Sequence, residues 1–199
     1  ANGTKMYFKV FAVGNNNDTT ETYKFMYTTR EVVICQSSGN MSYATSMTEV
    51  SFNDIFNQTG KTQPYTDYRM TDSTIVYIDS TYDLSVNLNS DGNYKIYSKV
   101  WIDWNQDLDF DDAGEEYDLG SAQNVIDGIT TNSPLSVTIP NGVVLGETIM
   151  RVSCQYNTPP TACNQNFDGE VEDYKIIVRD YDLDLGLNPT EVNDMIIYP

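Results

Sequence analysis

Residues 103–118 read Asp-Trp-Asn-Gln-Asp-Leu-Asp-Phe-Asp-Asp-Ala-Gly-Glu-Glu-Tyr-Asp, eight carboxylates in sixteen positions and no basic residue. Like charges at this density repel, so the segment must either stay solvated or gather around a cation. The spacing separates the two cases. Asp103, Asn105, Asp107, Asp109 and Asp111 alternate, and Glu115 closes the series. Calcium takes six to eight oxygen ligands, and a short loop with oxygens at alternate positions plus a late acid wraps one ion. The flanking Val100-Trp101-Ile102 and the internal Phe110 tie the run to a core, which a solvated tail would not need. The expected ligands are the side chains of Asp103, Asn105, Asp107, Asp111 and Glu115, with Asp109 contributing its backbone oxygen. Asp112, Glu116 and Asp118 are expected to be solvated.

The chain has 199 residues, 40% of them hydrophobic, enough for one domain of ordinary size with flanking pieces. A formal net charge of −18 repels nucleic acid and anionic membrane surfaces and attracts cations. No run of apolar residues is long enough to span a bilayer. Histidine is absent, which removes Ser-His-Asp and Cys-His catalysis and the common zinc hydrolase sites. Paired carboxylates remain chemically open, but among 29 acids some pair always falls at a glycosidase-like separation. The chain is therefore read as non-catalytic.

Short alternating runs rich in Tyr, Thr, Val and Ile predict an all-β chain. Strands are expected at 46–52, 74–78, 83–88, 94–102, 134–139, 148–155 and 172–179, punctuated by turns such as Ser90-Asp91-Gly92-Asn93. A short turn is expected within 53–59. This pattern predicts an antiparallel β-sandwich of jelly-roll or immunoglobulin-like type over residues 34–179. Residues 1–31 read as a β-hairpin, with strands at 5–12 and 21–29 that are too few to be stable alone. Residues 180–199 read as an acidic linker followed by one strand-like stretch. The chain begins at Ala1 with no signal peptide, as a processed piece would.

Of the three cysteines, Cys154 lies in phase with Met150 and Val152 and is expected in the core. Cys35 and Cys163 sit at loop-like edges and are the favoured bridge, with Cys154–Cys163 as the rival pairing. A second acidic cluster, Glu170, Glu172 and Asp173, is a candidate additional metal site. Glu170 and Glu172 share a strand face, and the strand at 172–179 is expected beside 94–102, which would bring them near Asp103. Trp104, Tyr65, Tyr68 and Tyr156 are candidate ligand aromatics for carbohydrate or protein.

Three stretches stand out in order: Val100 to Asp107, Pro140 to Ser153, and Phe167-Asp168-Gly169-Glu170-Val171-Glu172-Asp173-Tyr174 following Cys163. Together they resemble the GEVED domain, a β-rich module of secreted Bacteroidetes proteins. Tyr65-Thr66-Asp67-Tyr68 fits the family's early part. The resemblance covers about residues 34–179 and implies cysteines at the positions of Cys35 and Cys163. One departure is Leu108, where such calcium loops carry glycine; it implies a loop path that avoids positive φ or a weakened ion site. Asn193 to Pro199 resembles the start of a type IX secretion sorting domain, and the hairpin resembles the end of a fibronectin type III domain. Asp18-Thr19-Thr20, Asp72-Ser73-Thr74 and Asp79-Ser80-Thr81 resemble Bacteroidetes O-glycosylation triplets.

The expected function is that of a secreted, cell-surface or extracellular calcium-binding module for adhesion, substrate targeting or structural spacing. Two other readings are an accessory domain of a secreted hydrolase such as a metallopeptidase, and a self-assembling subunit that donates edge strands.

Overall fold

The computed structural model describes residues 34–181, together with two strand backbones near the N-terminus. The chain divides into one unit ending at Ile34 and a second beginning at Cys35. In the first unit β1 (Lys5–Phe11) pairs antiparallel with β2 (Thr22–Thr28). The expected sorting-domain stretch and most of the acidic linker lie outside the described residues, as does the Asp18-Thr19-Thr20 triplet.

The second unit is all-β. Its strands are β3 (Ser38–Gly39), β4 (Ser46–Phe52), β5 (Ile55–Gln58), β6 (Tyr65–Asp67), β7 (Ser73–Tyr77) and β8 (Thr81–Asn89). They continue with β9 (Lys95–Ile102), β10 (Glu116–Gln123), β11 (Gly128–Ile129), β12 (Leu135–Thr138), β13 (Gly146–Tyr156), β14 (Gln165–Phe167) and β15 (Gly169–Arg179). One sheet runs β10-β9-β13-β15-β6, with β7 also on β15; the other runs β11-β8-β4-β5, with β12 also on β8. Alternation drives both. Leu84, Val86 and Leu88 of β8 and Val50 and Phe52 of β4 face Ile96, Val100 and Ile102 of β9 and Met150 and Val152 of β13. Each such side chain contributes about 1.5–3 kcal/mol when fully buried. Cys154 is buried and free, as its phase predicts, and Cys35 is bonded to Cys163.

Three expectations change. The larger sheet is mixed rather than antiparallel: the eleven-residue β15 accepts two short parallel partners, β6 against its first half and β7 against its second. β9 does not pair with β15, because β13 lies between them. The short turn expected within 53–59 is present at Asn53, φ +51°, but an unexpected strand, β5, follows it and pairs with β4.

β15 enters the sheet through a close backbone approach. A Cβ on Gly169 would lie 1.9 Å from the Cys154 carbonyl oxygen, and one on Gly39 would lie 1.8 Å from the Gly169 carbonyl oxygen. Only glycine fits such a contact.

Candidate metal centre

The acidic run forms the connection between β9 and β10. Its ends are fixed by backbone bonds: the Ile102 amide donates to the Glu115 carbonyl, and the Asp103 amide to the Ile149 carbonyl. The Thr148 hydroxyl donates to the Asp103 carbonyl. Between these ends the loop folds on its own side chains. The Asp107 amide donates to Asn105 Oδ1, the Asp109 amide to Asp107 Oδ1 and the Asp111 amide to Asp109 Oδ1, at 3.0–3.1 Å. Phe110 anchors the middle, buried beneath the Arg151 guanidinium with its ring 5.3 Å away.

Two carboxylates of the run are buried. Asp103 is 1% exposed and Glu115 is 2% exposed. Asp103 Oδ2 accepts from the Leu108 amide at 3.1 Å, and Glu115 Oε1 from the Trp104 amide at 2.8 Å. Their other oxygens, Asp103 Oδ1 and Glu115 Oε2, are buried with no hydrogen-bond partner. Burial raises both pKa values above the ordinary carboxylate range, and the charge of Asp103 raises Glu115 further. A buried charge without donors is costly unless a cation sits against it. The carboxylates of Asp107, Asp109 and Asp112 are exposed, and one oxygen from each lies within 4.8 Å of the others. Asn105 Nδ2 bridges two of them, to Asp107 Oδ2 at 3.1 Å and Asp112 Oδ2 at 2.6 Å. The donor set is thus oxygen-rich and hard, as calcium requires. Asp112 stands in this group where the spacing favours Asp111.

Leu108 has φ +69°, so the loop takes the left-handed turn that glycine would ease instead of avoiding it. For a non-glycine residue this conformation costs on the order of 1 kcal/mol, and a β-branched residue tolerates it worst. Leu108→Val is expected to lower stability by about 1 kcal/mol in urea unfolding with calcium present. An unchanged midpoint would show that the turn relaxes at no cost.

The second acidic cluster is divided between the two faces of β15. Glu170 and Glu172 point between the sheets, and both are buried. Glu170 Oε2 accepts from the Met47 amide at 3.1 Å. Glu172 accepts from the Thr59 hydroxyl at 3.0 Å and the Tyr174 hydroxyl at 2.6 Å. Burial, and for Glu170 the neighbouring Glu172, push their pKa values up to about 8 and about 7. Glu172 is level with Val100 across β13, and Glu170 with Ser98. Two strand spacings are roughly 10 Å, so neither reaches a shell centred beyond Ile102.

Asp173 points to the opposite face, where it meets Arg151. Arg151 Nε and Nη2 donate to Asp173 Oδ1 and Oδ2 at 2.8 and 2.7 Å, and Nη1 donates to the carbonyls of Cys35 and Ala162. Tyr65 adds its hydroxyl to Asp173 Oδ2 at 2.9 Å. Asp173 is thus fully engaged by protein donors. A charged residue inside Ile149-Met150-Arg151-Val152 is the sequence signal for this pair.

The candidate aromatics also separate. Trp104 is in the core, donating to the Tyr117 hydroxyl at 2.9 Å, and offers no face to a ligand. Trp101, on the other face, is buried too and donates to Glu116 Oε2 at 3.1 Å. Tyr68 stacks on Tyr174 at 5.4 Å. Tyr156 is exposed, edge-on to Tyr94 at 5.3 Å.

Residues 97–177 match the family model of the GEVED domain. The match spans less than half of the chain and runs from β9 into β15. It takes in the acidic loop, Arg151 and the whole Gly169–Asp173 string. No curated protein matches the chain.

Proposed function

We propose that this chain is a non-catalytic, extracellular, calcium-stabilised β-sandwich module of jelly-roll or immunoglobulin-like type, which serves adhesion, targeting or spacing in a larger protein. The observation that carries the calcium reading is the pair of buried oxygens, Asp103 Oδ1 and Glu115 Oε2, that lack any protein donor. Asp103 and Glu115 would hold the ion from the protein side, with Asp107, Asp109, Asp112 and Asn105 supplying oxygens from the loop. The ion would neutralise the loop and fix its path; no step of chemistry is assigned to it. The Cys35–Cys163 disulfide fits an oxidising compartment. Among the described residues no helix is long and apolar enough to cross a membrane.

An ion that binds only the folded loop stabilises the fold by mass action, about 2.7 kcal/mol at a concentration a hundredfold above Kd. Thermal unfolding with calcium is therefore expected to lie several degrees above unfolding in EDTA. Asp103→Asn with Glu115→Gln is expected to abolish the difference without weakening the calcium-free protein, since it removes the uncompensated charge. Identical melting curves for the wild-type chain with calcium and with EDTA would sink the proposal.

A further inference from the structure

At the end of the sandwich where Glu170 lies, three tyrosines and two carboxylates line a cavity of about 460 Å³: Tyr43, Asp91, Tyr94, Tyr156 and Asp168. None of them belongs to the acidic loop. Tyr43, Tyr94 and Tyr156 are all exposed large side chains. Tyr94 and Tyr156 meet at 79° with ring centres 5.3 Å apart, so they form a corner rather than a flat platform.

Local bonds hold the walls. The Tyr156 amide donates to the Asp168 carbonyl at 2.9 Å, joining β13 to the turn before β15. The Ala44 amide donates to Asp91 Oδ2 at 3.0 Å, which ties Asp91 to the segment carrying Tyr43. Asp168 Oδ1 is buried and has no hydrogen-bond partner. No basic residue lines the cavity; the nearby Lys61 ammonium donates to the backbone carbonyl of Tyr43.

We propose that this cavity binds the cationic side chain of a basic peptide segment on a partner protein. Aromatic faces attract cations within about 6 Å of the ring centre through their quadrupoles. Two carboxylates add charge, and Asp168 Oδ1 lacks the donor that an ammonium or guanidinium would bring. Rings set at right angles offer no broad flat platform of the kind on which a pyranose stacks. An anion is repelled by Asp91, by Asp168 and by the net charge of −18.

The test is an NMR titration of the whole chain with N-acetyl-lysine methylamide and N-acetyl-arginine methylamide. The uncharged norleucine analogue and methyl β-glucopyranoside serve as controls. The basic probes are expected to shift resonances of Tyr43, Tyr94 and Tyr156 with millimolar affinity that weakens as salt is added. Tyr156→Ala and Asp168→Asn should each weaken binding by about tenfold. Asp168 lies in a structural turn, so Asp91→Asn, which keeps an oxygen for the Ala44 amide, provides a second carboxylate variant with the same expected direction. The proposal is overturned if the norleucine analogue or the glycoside shifts these resonances as strongly, or if neither basic probe does. None of these outcomes depends on whether calcium binds the loop.

Discussion

Arg151→Ala is expected to cost about 3–5 kcal/mol in urea unfolding under calcium, the range for breaking one side of a buried ion pair. The magnitude follows from what is left behind. Asp173 is fully buried and would keep a single donor, the Tyr65 hydroxyl. The carbonyls of Cys35 and Ala162 would lose the guanidinium as well. Pairing the loss with Asp173→Leu should recover part of the stability, because the uncompensated charge is then gone. Recovery should be incomplete, since two carbonyls and one hydroxyl remain unserved. Arg151→Met keeps a flexible side chain over Phe110, so comparing it with alanine separates packing on the ring from the ion pair. A loss below about 1 kcal/mol for Arg151→Ala would mean that water satisfies Asp173 and that the pair is dispensable.

Stability is expected to fall as pH rises from about 5 to about 8, opposite to proteins whose carboxylates are ion-paired. Glu170 and Glu172 hold their protons up to about 8 and about 7 in the folded chain, because burial disfavours the charged forms. In the unfolded chain both titrate near the ordinary glutamate value, about 4.3. Between these limits the native state binds more protons than the unfolded state, so raising the pH favours unfolding. The stabilising contribution is complete below the unfolded pKa and is lost as pH passes through the folded values. Folded values of about 8 and about 7 correspond to a fall of roughly 6 kcal/mol over the window. Calcium must saturate the loop throughout, since Asp103 and Glu115 also titrate high when uncompensated. Replacing both residues, Glu170→Gln with Glu172→Gln, should flatten the profile and leave the variant more stable than wild type at pH 8. A wild-type profile that stays level or rises across this window would refute the buried neutral pair.

Where one face of a strand is apolar, the sequence locates the element to within a residue or two. β4 falls on the expected residues, β8 and β13 extend slightly past their expected ends, and β9 starts one residue later than expected. β10 went unread because a bulge between Asp118 and Gly120 breaks its alternation, leaving Leu119 and Ala122 as its buried apolar residues. β7 was legible as a segment but not as a parallel partner of β15, and β6 was not among the expected strands, since short strands carry no record of which edge they join. In the site, the spacing picked out Asp103 and Glu115, the two acids that are buried. It favoured Asp111 over Asp112, whereas the carboxylate that gathers with Asp107 and Asp109 is that of Asp112. Trp104 was a candidate ligand aromatic, but Tyr117, thirteen residues further on in the unread strand, accepts from its indole nitrogen and holds it in the core.

The position of β15 has a further consequence. It is the last of the described strands, yet it pairs with β13 on one side and with β6 and β7 on the other. Tyr65 therefore waits for Val171, and Ser73 for Lys175. Cys35 likewise has its covalent partner at Cys163. A chain emerging from its N-terminal end can close the β4–β8 ladder early, but its larger sheet lacks a central strand until residues 169–179 arrive. Folding is thus governed by late, long-range closure, which is slow and leaves strand edges open meanwhile. A chain cut anywhere before Gly169 would lose the strand to which three others attach, so its failure should be global rather than a frayed end.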